Sequence, residues 1–151
     1  MNARLVFGIL AVCGAASFAG AMLNIGLTLG AYWKSLPPAA FLDWFSVNSH
    51  FIGRTIPVFV IPTALGLVAS LWIDWSRPGN RSLWLAAIAC AIGIGVLTAL
   101  YHLPANGAFA TKVTPLDQVP DALDQWLILH AVRIALAMSS AVLALISLVR
   151  R

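Results

Sequence analysis

His130 and Arg133 stand three residues apart in Trp126-Leu127-Ile128-Leu129-His130-Ala131-Val132-Arg133, near the start of the last apolar run. On a helix this spacing puts both side chains on one face. The run continues from Leu127 to Val149, and about 20 apolar residues suffice to cross a bilayer. An arginine inside such a span costs roughly 2.5–3.5 kcal/mol to insert, so it is expected to face the protein interior and to have a partner. A histidine beside it can take a proton, and the guanidinium can stabilise the oxyanion that results. His130 and Arg133 are therefore the candidate catalytic pair.

Counting apolar runs brings further polar residues to the same membrane level. His50 and Arg54 open the second run, four apart and so on one face, and His102 closes the third. Three histidines on three helices, His50, His102 and His130, form a candidate metal set suited to one ion of copper, iron or zinc. No HxxxH or CxxC spacing accompanies them. A ligating histidine is not free to act as a base, so a metal-bound and a cofactor-free mechanism are distinct alternatives. Arg54 and Arg133 suit an anionic or carbonyl-bearing ligand, with Asp43, Asn24 and Asn106 as candidate partners for Arg133. Arg54, Asn106, Trp126 and Asn24 are the candidate substrate-binding residues. Trp44 and Phe51 are candidates for the pocket wall beside Trp126, although Trp44 also fits an interfacial belt.

The elements that must position these residues follow from composition. The chain has 151 residues, 61% of them hydrophobic and 9% charged, against about 25% charged in a soluble domain. This predicts an all-α, four-helix transmembrane bundle, a single integral membrane domain with spans near 5–31, 51–73, 82–103 and 127–149. The first run is too long for a removed signal peptide and is read as a retained span. The net charge of +4 forms no basic patch with interleaved aromatics, which argues against nucleic acid. Arg4, Arg77, Arg81, Arg150 and Arg151 flank one side, and Lys34 and Lys112 the other. The positive-inside rule then puts both termini in the cytoplasm and the histidines at the outer end.

Within the first run, Ala16 with Gly20 and Gly26 with Gly30 are small-residue pairs suited to close helix packing. Pro37 and Pro38 read as a stop and restart, followed by a short interfacial helix over Ala39–Phe45. Pro57 and Pro62 predict a kink in the second span. Pro104 and Gly107 predict the end of the third, with His102 on its last turn. Pro120 fits the first turn of the fourth helix.

The W-x-x-x-H-x-x-R pattern from Trp126 to Arg133 at the opening of the last helix resembles the anthrone oxygenase-like family of small four-helix membrane proteins. Asn106 after the third span, the Gly-rich first span and the Pro37-Pro38 loop are similar as well. The resemblance covers most of the chain, and its specific motif is the one in the last helix. It implies roles for Asn106, Trp126, His130 and Arg133. It also implies a cell-membrane oxygenase that uses molecular oxygen on a lipid-soluble aromatic, of the kind that turns anthrones into anthraquinones. Copper or iron, haem, or no cofactor at all stay open at this point, as does a homo-oligomer. Two other classes compete: a haem-binding electron carrier with facing histidines, and a non-enzymatic membrane subunit or assembly factor.

Overall fold

A computed structural model describes residues 2–150; Arg151, counted above among the flanking arginines, lies outside them. Among the described residues there are four long helices and no strand. We label them α1 (Ala3–Ser35), α2 (Pro38–Ile73), α3 (Pro78–Ala110) and α4 (Val119–Val149), and each is long and apolar enough to cross a membrane. The chain is thus an all-helical, multi-pass membrane protein in architecture.

Two boundaries differ from the sequence reading. The segment after Pro38 is no separate interfacial helix. It is the first turns of α2, which runs unbroken through Pro57 and Pro62. Likewise α3 does not stop at Pro104. A π-turn over Thr98–His102, closed by Leu103 N–H donating to Thr98 O, comes just before the proline. A proline ring collides with the carbonyl four residues back and offers no N–H. The wider i→i+5 turn relieves both problems, and the helix continues to Ala110. A second π-turn, Ile25–Leu29, interrupts α1 at the same end of the bundle. Pro120 does sit in the first turn of α4.

Close packing of α1 on α2 depends on small residues, but not on every pair the sequence suggested. Gly66 lies so close to Ala11 that a Cβ there would collide with its backbone. Gly26 lets α1 approach α4, where a Cβ would meet His130 Cδ2 at 3.1 Å. Ala16 and Gly20 instead face outward, and a Cβ on Gly20 would meet nothing within 4 Å.

Both chain ends lie together at one end of the bundle. There Arg4 donates through Nε to Asp74 at 3.0 Å and through Nη2 to the Ser147 and Arg150 carbonyls, each at 3.0 Å. Asp74, 1% exposed, also accepts from Trp84 Nε1 at 3.1 Å and from Arg77 at 3.3 Å. This buried carboxylate ties α1, α2, α3 and the end of α4 into one knot. The opposite end, where the histidines lie, is filled by an aromatic cluster. The Trp33 ring centroid lies 5.5 Å from those of Trp44 and Trp126 and 5.6 Å from that of Phe45. Exposed ion pairs Lys34–Asp124 and Lys112–Asp43, both 2.6 Å, clip the connections there and add little stability.

Candidate functional site

Trp126, His130 and Arg133 follow one another at i, i+4 and i+7 on α4, so they form one stripe, and all three are buried. Arg133 faces the interior as its cost in lipid demands, with 6% of its surface exposed. Its partners are neither Asp43 nor the two asparagines. Nη1 donates to Thr98 Oγ1 at 3.1 Å and Nη2 to His130 Nδ1 at 2.6 Å. Asp43 instead pairs with Lys112. Thr98 opens the π-turn of α3, so that irregularity helps to set the position of the guanidinium.

Arginine has donors only. Nδ1 of His130 must therefore present its lone pair to Arg133, and the proton of the neutral ring sits on Nε2. That N–H donates to the Met22 carbonyl at 2.8 Å, just upstream of the π-turn in α1. His102 repeats the arrangement in α3: its Nδ1 donates to Leu97 O at 3.2 Å, again just ahead of a π-turn. The Trp126 ring stacks on His130 at 4.8 Å with 16° between the planes, and its indole N–H donates to Asn106 Oδ1 at 2.8 Å.

Arg133 and Trp126 line a cavity of about 770 Å³ that runs lengthwise between the helices. Its wall is chiefly aliphatic and aromatic, with Ser49, Thr63, Thr98, Asn106 and Ser140 as polar exceptions. Val60, Val68 and Ile92 line it while also being 43%, 61% and 61% exposed. The cavity is therefore open sideways, between α2 and α3, toward the lipid. Among the described residues no carboxylate lines it and none pairs with Arg133. Arg133 Nε has no hydrogen-bond partner at all.

The structure does not gather every residue the sequence nominated. His50 and Arg54 do share a face of α2, but that face points outward; both are exposed, and neither lines the cavity. Arg54 lies over the ring of Phe51, itself 56% exposed. Asn24 is also exposed and off the cavity wall. The three-histidine metal set is accordingly not assembled: among the described residues no group of three His, Cys, Asp or Glu side chains could hold an ion. His130 has both ring nitrogens engaged, and His50 is on another face. The donor set does not fit haem either. The His102 and His130 rings meet edge to face at 6.3 Å, too close for a porphyrin between them, and neither lines the cavity.

Trp33 is a cavity residue that the sequence analysis did not nominate. It is 1% exposed and on the cavity wall. Gly26, Gly30 and Trp33 recur at helical spacing, so a face that packs through its glycines must carry Trp33 inward too.

Fold and site together define a four-helix membrane bundle with one buried guanidinium facing a laterally open, apolar cavity. The family model described as anthrone oxygenase matches residues 41–143, and the chain belongs to that family. The match supports an oxygenase-type function in general terms. It contains Asn106, Trp126, His130 and Arg133, and stops short of α1. No curated protein and no solved structure matches the chain.

Proposed function

We propose that the protein is a membrane oxygenase that takes a flat, lipid-soluble aromatic with an ionisable oxygen, anthrone-like or phenol-like, from the bilayer into the cavity. The observation that carries this reading is Arg133: a buried guanidinium on an apolar wall, with no carboxylate partner and with Nε unsatisfied. A buried donor without an acceptor is costly, and a charge without a counter-charge more so. An enolate or phenolate oxygen would satisfy both. On an apolar wall, such a fixed positive charge acts strongly on developing negative charge.

The chemistry then needs no reductant beyond the ligand. Bound anthrone gives a ring C–H proton to solvent water, which serves as the base and later returns it, and the enolate left behind is held at Arg133. The enolate passes electrons to dioxygen, and a carbon–oxygen bond forms. The proton returns to the resulting peroxide. Loss of the second hydrogen from the same carbon, with cleavage of the O–O bond, leaves a carbonyl and water. Anthrone and dioxygen thus give anthraquinone and water.

His130 serves in this reading as a positioning residue. Its lone pair holds Arg133 and its N–H is anchored on Met22, so neither nitrogen is free to act as base. We place both termini in the cytoplasm of the cell membrane, following the arginine excess at that end. The test is a reaction of protein in nanodiscs with anthrone under air. One equivalent of oxygen consumed per anthraquinone formed, lost in Arg133→Gln, is expected. Equal rates for Arg133→Gln and the unaltered chain would overturn the proposal.

A further inference from the structure

The two helices that hold the site carry its residues at different spacings. On α4, Trp126 and Arg133 are seven residues apart, and seven residues of unbroken helix return a side chain to within about 20° of its starting direction. Their partners on α3 are eight apart: Asn106 accepts from Trp126, and Thr98 accepts from Arg133. All four residues line the cavity. Eight residues of unbroken helix overshoot two turns by about 80°, so Thr98 and Asn106 could not both meet the α4 stripe. The π-turn over Thr98–His102 lies between them. A single wide turn takes up one residue without advancing the helix face, so eight residues of α3 rotate through the angle of seven. The direction matters most at Thr98. Its hydroxyl donates to the Ile94 carbonyl at 2.7 Å, which leaves an oxygen lone pair for Arg133.

Pro104 is exposed and off the cavity wall. In a regular helix its ring would collide with the Leu100 carbonyl and offer it no N–H. Without the proline the regular ladder becomes available. Taking it would rotate Asn106 by about 100° relative to Thr98. We infer that Pro104 is a positioning residue: by maintaining the π-turn it keeps Thr98 and Asn106 in register with Arg133 and Trp126. It acts through the backbone alone. This inference rests on the proposed role of Arg133 and adds to it a residue on the outer surface of α3.

The test is a compensating deletion. Pro104→Ala supplies the missing N–H. Removing Leu100 as well, a residue 77% exposed, gives a regular helix in which Thr98 and Asn106 are seven apart. Full-length protein in nanodiscs is compared in three forms: unaltered, Pro104→Ala, and Pro104→Ala without Leu100. The chain has six tryptophans, and the indole N–H resonance missing from Trp126→Phe identifies Trp126. In Pro104→Ala that resonance should move as the bond to Asn106 is lost. There kcat/KM for anthrone should fall roughly tenfold, the worth of one hydrogen bond. In the doubly altered protein the resonance should return and the rate recover to within about twofold. A proline that only stiffened the helix would not be replaced by removing a residue elsewhere. Pro104→Ala with resonance and rate unchanged, or a doubly altered protein no better than Pro104→Ala, would overturn the inference. Should Pro104→Ala not fold, the doubly altered protein decides by the same two readouts, and its own failure to fold counts against the inference. If the resonance moves and returns while no form, the unaltered one included, turns over anthrone, the register stands and the proposed function fails.

Discussion

Replacing His130 with glutamine separates two jobs the ring could perform. In the structure the ring accepts from Arg133 at 2.6 Å and donates to the Met22 carbonyl at 2.8 Å. Glutamine carries one acceptor and one donor group and can reproduce that pattern. It loses the face-to-face contact with Trp126, worth about 0.5–1.5 kcal/mol. If His130 only holds Arg133, kcat/KM for anthrone should fall by roughly tenfold or less, and the pH–rate profile should keep its shape. Alanine is a harsher change. It strands an Arg133 N–H and a backbone carbonyl at about 1–3 kcal/mol each, so His130→Ala should lose at least a hundredfold and melt lower. If instead the ring abstracts the proton, glutamine and alanine should be equally damaging, by about 10²–10⁴. Oxygen uptake in nanodiscs, paired with thermal unfolding of each variant, makes the distinction. A His130→Gln protein that melts like the unaltered one but is as inactive as His130→Ala would refute the positioning role.

Asp74 and two glycines test the frame. Burial pushes the Asp74 carboxyl up, but hydrogen bonds from Trp84 and Arg4 and the charges of Arg4 and Arg77 outweigh it and hold the group below the usual carboxylate range. A depressed folded pKa means that the stabilisation is complete above the unfolded value of about 3.9 and is lost as pH falls through the folded value. The melting temperature should therefore drop on acidification below about pH 4, by less in Asp74→Asn than in the unaltered chain. At neutral pH, Asp74→Asn should cost on the order of 3 kcal/mol, the low end for a broken buried pair, with unchanged activity per folded molecule. Gly66→Ala should destabilise through its collision with Ala11, by about 1–3 kcal/mol. Gly20→Ala, which meets nothing, should be neutral or stabilising by up to about 1 kcal/mol.

The four helices were readable because length and hydropathy alone decide them. The inward face of each was harder to read. In lipid the outer surface is as apolar as the core, so periodicity shows which residues share a face without showing which face turns in. His50 and Arg54 illustrate this: their shared face was read correctly, and it turned out to point outward. Arg133 was readable because a buried guanidinium carries a cost that fixes its direction. The two π-turns left no mark in the residue pattern, yet they set the Thr98 hydroxyl and the Met22 and Leu97 carbonyls that hold the site. Trp33 was masked by the ordinary habit of tryptophan at interfaces, though its register with Gly26 and Gly30 pointed inward.

The central claim, that Arg133 stabilises a ligand oxyanion, is tested most directly by the ligand's own ionisation. Anthrone titrated with pH in the absence of oxygen, bound to the protein in nanodiscs, reports its enolate by absorbance. A preorganised donor at a developing oxyanion is worth about 2.7–4 kcal/mol, which corresponds to a pKa lowered by roughly 2–3 units. Bound anthrone should ionise that far below its value in empty nanodiscs, and Arg133→Gln should abolish the shift while still sedimenting as a folded bundle. Ionisation at the same pH in both proteins would contradict the account and leave the polar cluster as a means of joining helices.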